Sequence, residues 1–139
     1  MQPYELLDHT ADAKFRAYGQ TREEAFANAV RGMVAIVTPP EELGDGAAYH
    51  VSVRAAKLES LLFDLLDETL FLYDTERFLP NRAEALTIVE RDGKFVLDAT
   101  LRGVARTMVS GNLKAVTYSD MICAQQSDGT WLIQVVIDI

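Results

Sequence analysis

The spacing of the apolar residues changes part-way along the chain, and this change constrains the fold more than any other feature. Over residues 58–73 leucine recurs every three or four positions, which predicts an amphipathic helix; the stripe consists of Leu58, Leu61, Leu62, Leu65, Leu66 and Leu70. From residue 84 to residue 139 apolar and polar residues alternate instead, which is the period of half-buried strands. A helical period followed by a long region of strand period predicts an α+β domain.

The region before the leucine stripe predicts three strands, the first of them at Leu6-Leu7, and a first helix. Apolar residues alternate with polar ones over residues 13–18 and again over residues 49–54. Between them, Thr21 and Glu24 have the spacing of a capping box, which marks the first turn of a helix, and Pro39-Pro40 end the apolar helical pattern that follows.

Two turn signals divide the C-terminal region into hairpins. Asp92-Gly93 and Asp128-Gly129 each separate two alternating segments, and Asp-Gly is a strong signal for a tight β-turn. We therefore expect one domain spanning residues 1–139, with a mostly antiparallel sheet of about seven strands and two helices packed on one face.

Composition limits the partners of the protein. The 139 residues carry a net charge of −8 and contain no basic run, which argues against independent nucleic-acid binding and suits a basic protein partner or a bound cation. No apolar segment approaches the ~20 residues of a membrane span. The start of the chain lacks the pattern of a secretory signal and there is one cysteine, so a cytoplasmic location is expected. Cys123 lies in an apolar alternating segment, which favours a buried thiol over a reactive one.

Acidic residues are concentrated near both ends of the chain. The segment Asp8-His9-Thr10-Ala11-Asp12 precedes one predicted strand, and Asp138 and Ile139 follow another. If the two strands pair, then Asp12, Asp138 and the carboxylate of Ile139 come together and offer the hard oxygen ligands that Ca²⁺, Mg²⁺ or Mn²⁺ prefers. The alternative is that both aspartates are solvated residues at strand ends.

Two further residues have open interpretations. His9 is either a hydrogen-bonding partner of the acidic cluster or a core histidine. Lys114 is either a solvated lysine at a strand edge or a cation placed beside the carboxylates or offered to a phosphate. His9 and His50 are the only histidines, so a site with many histidine ligands is excluded, and an independent hydrolase would lack a clear general base.

Several of these motifs together resemble the archease family. The resemblance rests on His9-Thr10-Ala11-Asp12, the helix start Thr21-Arg22-Glu23-Glu24-Ala25-Phe26, the leucine-rich helix at residues 58–73, Lys114-Ala115-Val116-Thr117-Tyr118 and the end Asp138-Ile139. Their order and spacing match along essentially the whole chain. The resemblance implies an archease fold, which is a single α+β domain.

The resemblance also implies a function. Archeases are accessory proteins of the RtcB-type RNA ligase in tRNA splicing and RNA repair, where they promote guanylylation of the ligase and its multiple turnover without being enzymes themselves. It implies that Asp12, Asp138 and Ile139 bind a divalent cation, expected to be Ca²⁺ in the isolated protein, with Mg²⁺ or Mn²⁺ as alternatives. Lys114 matches a lysine needed for activation of the partner, and His9 belongs to the motif. RNA would be contacted only indirectly.

Two positions depart from the family pattern. Val104 stands where a glutamate is usual, and Ser119 stands where a histidine is usual. These departures leave a second interpretation open, in which the protein is a cation-binding, chaperone-like adaptor for another nucleic-acid-processing enzyme.

Overall fold

Two helices and eight strands make up the part of the chain that the computed structural model describes, namely residues 1–7, 12–109 and 111–139. The helices are α1 (Arg22–Ala35) and α2 (Leu58–Glu76), and one turn of 3₁₀ helix covers Pro40–Glu42. The strands are β1 (Tyr4–Leu7), β2 (Ala13–Gly19), β3 (Ala47–Ala55), β4 (Leu79–Arg91), β5 (Lys94–Val104), β6 (Ala115–Val116), β7 (Ile122–Gln125) and β8 (Trp131–Asp138). The predicted α+β class is confirmed.

Helix α1 begins at the predicted capping box. The Thr21 hydroxyl accepts a hydrogen bond from the Glu24 N–H at 3.1 Å. The Glu24 carboxylate in turn accepts from the N–H of Gln20 at 2.9 Å, one residue before the cap. Both bonds satisfy backbone donors at the start of the helix, where no preceding turn supplies an acceptor.

The leucine stripe of α2 faces the core. Leu61, Leu62, Leu65 and Leu66 are fully buried, and each such side chain contributes roughly 1.5–3 kcal/mol through removal from water. The helix ends at Arg77, whose left-handed backbone (φ 51°) allows its N–H to bond back to the Tyr73 carbonyl.

The strands form two antiparallel sheets instead of the single sheet of about seven strands that we expected. One sheet has the order β1-β2-β8-β6, with β7 also paired to β8, and the other has the order β3-β5-β4. The alternating pattern specifies which face of a strand is buried but not which strand lies beside it, so it did not reveal the division. Each helix contacts strands of both sheets, and one hydrophobic core includes residues from both helices and both sheets.

Both predicted hairpins are present. Asp92 (φ 53°) and Gly93 (φ 77°) occupy the two left-handed positions of the β4–β5 turn, as a type I′ turn requires. Gly129 (φ 91°) occupies the left-handed position in the turn between β7 and β8. Among the described residues, no helix combines the length and apolar character needed to cross a membrane.

Candidate functional site

Strand pairing brings the two ends of the chain together. Strand β2 pairs with β8 along its whole length, from Ala13 opposite Ile137 to Gly19 opposite Trp131. Asp12 directly precedes Ala13 and Asp138 directly follows Ile137, so continuing the antiparallel register by one residue places Asp12 across from Asp138. The predicted pairing of the terminal strands is confirmed.

The two aspartates share one face of this strand pair. Side chains alternate between the faces of a strand, and Phe15 and Ile137 occupy the opposite face, where both are fully buried in the core. Asp12 is half-buried, whereas Asp138 is exposed. Continued alternation places both aspartates on the face opposite Phe15 and Ile137.

A cleft of about 310 Å³ lies beside Asp12. Its lining consists of Leu6, Leu7, Asp12, Ala13, Lys14, Ile36 and Ile139. Asp12 and Ile139 thus border the same cleft, and apolar side chains form much of the remaining wall. The cleft combines an acidic edge with a largely apolar wall.

The backbone of Lys114 is attached to this corner. Its N–H donates to the carbonyl of Asp138 at 2.8 Å, and the next residue, Ala115, pairs with Asp138 in the β6–β8 ladder. Thr117 continues the attachment, because its hydroxyl donates to the Val136 carbonyl at 2.8 Å. The Lys114 side chain is exposed, and its backbone lies at the end of β8.

The donor chemistry of this corner fits a hard divalent cation. Like charges on directly opposite strand positions repel each other. A cation that binds the carboxylate oxygens would relieve that repulsion. Within residues 1–7, 12–109 and 111–139, no three His, Cys, Asp or Glu side chains converge as a metal-binding group. Asp12 and Asp138 stay the candidate ligands, with the Ile139 carboxylate as the expected third group. His9 lies outside the described residues.

Two other sequence candidates lie apart from this corner. His50 is on β3, in the other sheet, where its Nε2 atom is 3.3 Å from Oδ1 of Asp98. Cys123 is on β7, where burial raises the pKa of its thiol to about 12, so the thiol stays protonated and poorly nucleophilic near neutral pH.

The structure adds residues that sequence reasoning did not assign to the site. Oδ2 of Asp120 lies 3.5 Å from Nζ of Lys14, which lines the cleft. The Gln134 amide donates to the Asp120 carbonyl at 2.8 Å and accepts from Nε of Arg16 at 2.9 Å. The signal in the sequence was weak, because Asp120 follows Ser119 in a short loop and nothing local shows that it faces Lys14.

The two positions that depart from the family pattern lie in different surroundings. Ser119 neighbours Asp120, and its N–H donates to the Thr117 hydroxyl at 3.3 Å. Val104 ends β5, and the segment after it is attached to the end of α2 through the N–H of Arg106, which donates to the carbonyl of Glu76 at 3.1 Å.

Comparison with known proteins identifies the family. Residues 4–139 match the model of the Archease protein family (MTH1598/TM1083). The chain belongs to the archease family. Protein archease of Methanosarcina barkeri is 36% identical over 140 residues, covering 98% of this chain and 95% of that archease. Protein archease of Pyrococcus furiosus is 32% identical over 143 residues, and the match covers both chains completely.

Solved structures agree with the archease assignment. The solution structure of Methanobacterium thermoautotrophicum protein 1598 has a TM-score of 0.85 and 33% identity, with complete coverage of both chains. A crystal structure from Thermotoga maritima, described as an archease and possible chaperone, has a TM-score of 0.58 and 18% identity, covering 96% of this chain and 94% of its own. The second likeness supports the archease fold alone, since its sequence identity is low.

Proposed function

We propose that the protein activates an RtcB-type RNA ligase in tRNA splicing and RNA repair. In this role it promotes guanylylation of the ligase by GTP and its multiple turnover, acts in the cytoplasm, and is an accessory protein, not a catalyst. Membership of the archease family supports the proposal. The observation that supports it most directly is the β2–β8–β6 pairing, in which Ala13 lies opposite Ile137 and the Lys114 N–H bonds to the Asp138 carbonyl.

Within this proposal, the acidic corner holds a divalent cation. Asp12, Asp138 and the carboxylate of Ile139 are the ligands, with Ca²⁺ bound in the isolated protein and Mg²⁺ or Mn²⁺ as alternatives. A bound divalent ion supplies positive charge that can neutralise phosphate oxygens during nucleotidyl transfer. The chain's own contribution is to fix the positions of the two aspartates by a continuous backbone ladder and to keep the Lys114 ammonium accessible beside them.

Charge supports the choice of partner. The net charge of −8 repels free RNA, so contact with RNA is indirect and takes place through the ligase. An enzyme pocket that binds GTP and RNA ends must be electropositive, and complementary charge accelerates association and selects partners. An exposed Asp138 and Lys114 at one corner form a small surface that can approach such a pocket.

A second candidate function is an adaptor for another nucleic-acid-processing enzyme. Val104 and Ser119 favour it, because they replace an acidic and a titratable side chain that are usual in the family. An RtcB-type ligase encoded in the same genome would favour ligase activation, and the absence of such a ligase would favour the adaptor function.

The direct test is guanylylation of the ligase with excess GTP and Mn²⁺, followed over several rounds of RNA joining with and without this protein. The ligase used in the assay should come from the same organism, since partner surfaces diverge between species. The proposal predicts faster guanylylation and continued turnover when the protein is present at a tenth of the ligase concentration. A folded wild-type protein without effect would contradict ligase activation and leave the adaptor interpretation.

A further inference from the structure

A lysine lines the cleft that borders the candidate cation site. Lys14 lines the same cleft as Asp12 and Ile139, and it shares the sheet face of Asp12 because the two are separated by one residue. Only 19% of the Lys14 side chain is exposed. An ammonium group in such a place repels a divalent cation and can itself neutralise the carboxylates. The position of Lys14 therefore affects how well the site binds an ion.

The ammonium of Lys14 is engaged by Asp120, with its Nζ atom 3.5 Å from Oδ2. Lys14 belongs to β2, and Asp120 lies in the loop between β6 and β7. The ion pair therefore joins β2 to a loop that connects two other strands of the same sheet. Their opposite charges attract each other, although the exposure of Asp120, at 63% of its side chain, weakens the attraction through solvent screening.

Asp120 is fixed by its backbone as well as by its side chain. Its left-handed conformation (φ 52°) is uncommon for a residue other than glycine. The carbonyl of Asp120 accepts from the side-chain amide of Gln134, which is only 5% exposed. Gln134 is fixed in turn by Arg16, whose Nε donates to its Oε1. A buried amide thus places this loop, and the position of the carboxylate does not depend on the ion pair alone.

We infer that Asp120 is a positioning residue for the cation site. It holds the Lys14 ammonium so that this group does not compete with a divalent cation for Asp12 and Asp138. The inference rests on the cation site of the proposed function and deepens it, because it names the residues that set the affinity. It also assigns a role to the loop that contains Ser119, where the chain departs from the family pattern.

The test is calorimetric titration of the full chain with Ca²⁺ at low ionic strength. Asp120→Asn preserves the size of the side chain and tolerates the left-handed backbone, and it releases Lys14. We expect the Ca²⁺ affinity to fall about fivefold in Asp120→Asn and to rise about fivefold in Lys14→Gln. This is the size of effect that one unit charge has near a divalent ion in a partly screened site. In the double variant, Asp120→Asn should change the affinity of Lys14→Gln by less than about twofold.

Matched controls are available in the β4–β5 turn. Like Asp120, Asp92 is exposed and left-handed (φ 53°), and Lys94 is an exposed lysine two residues after it. Both belong to the hairpin of the other sheet. Asp92→Asn and Lys94→Gln should leave the Ca²⁺ affinity unchanged. Thermal unfolding of all variants verifies that they are folded.

Three results would overturn the inference. They are no Ca²⁺ binding by the wild type, no loss of Ca²⁺ affinity in Asp120→Asn, and a loss of affinity from Asp120→Asn that is as large in the Lys14→Gln variant as in the wild type. The last result would mean that Asp120 acts only through its own charge. The first result would also contradict the cation site of the proposed function, whereas the other two would leave that site and ligase activation untouched. The expected affinity pattern in a protein that does not stimulate the ligase would contradict the proposed function alone.

Discussion

The N–H of Lys114 donates to the carbonyl of Asp138 at 2.8 Å. The bond joins the start of the β6 segment to the end of β8, and it involves only backbone atoms. This bond therefore does not depend on the Lys114 side chain. Its ammonium can be removed while the positions of Asp12 and Asp138 are preserved, which allows structural and activating roles to be separated.

Lys114→Ala is expected to abolish stimulation of ligase guanylylation while leaving the cation site intact. The backbone bond to Asp138 persists in the variant, so its Ca²⁺ affinity should stay within about threefold of wild type, because an exposed charge contributes little. Guanylylation and Ca²⁺ titration are measured on the same preparation. Lys57→Ala, an exposed lysine at the start of α2, is the control. Full stimulation by Lys114→Ala would remove this residue from the activating surface.

Gly103→Ala is expected to destabilise the three-stranded sheet. An added Cβ would overlap the Leu79 carbonyl oxygen and lie 2.6 Å from Cα of Pro80. Both are backbone atoms, so β4 and β5 would have to move apart. Overpacking of this kind costs about 1–3 kcal/mol in the free energy of unfolding, measurable by urea denaturation. Gly44→Ala is the control, because nothing lies within 4 Å of the added atom, and an equal loss in both variants would contradict this explanation.

Acid is expected to weaken the same sheet through Glu84. Hydrogen bonds from Arg102 and then Arg82 lower the pKa of Glu84 below its ordinary 4.5. A lowered pKa in the folded state means that the stabilisation is fully present above pH 4.5 and is lost as pH falls through the folded value. Glu84→Gln should reduce the slope of unfolding free energy against pH in this acidic range. Glu90→Gln, on the same strand and without an ion pair in the described part of the chain, should retain the wild-type slope. Equal slopes for wild type and Glu84→Gln would contradict the assignment.

The thiol of Cys123 is expected to be unreactive in the folded protein. Burial raises its pKa to about 12, and the charge of Glu59 adds to the shift. Since the thiolate is the nucleophile, modification by a disulfide reagent at pH 8 should be at least ~100-fold slower in buffer than in denaturant. The reaction is followed by absorbance of the released thiol. Comparable rates in the two conditions would show that this part of β7 is open to solvent.

Local features of the fold were predictable from the sequence. The capping box at Thr21 and the Asp92-Gly93 turn depend on residues a few positions apart, whose chemistry determines the backbone directly. The leucine stripe of α2 predicted its buried face for the same reason. The pairing of the terminal strands was a conditional expectation, and the register of Ala13 with Ile137 confirms it.

Non-local features were not predictable from pattern alone. The alternating segments that form β3 and β8 have the same period, so nothing in them indicated that they belong to different sheets. The contact between Lys14 and Asp120 spans more than a hundred residues of sequence and depends on where the loop before β7 is placed by Gln134. The contribution of His9 stays a prediction, because this residue lies outside the described part of the chain.

The measurement that tests the central claim most directly is the rate of ligase guanylylation under multiple turnover with Asp138→Ala. Asp138 is exposed and outside the core, so the variant should fold as wild type does. Asp92→Ala serves as a control for loss of one exposed carboxylate. The account predicts stimulation by wild type and Asp92→Ala and a loss of at least ~10-fold in Asp138→Ala, since the cation would lose one of its ligands. Stimulation by Asp138→Ala equal to that of wild type would contradict a role for the acidic corner in ligase activation.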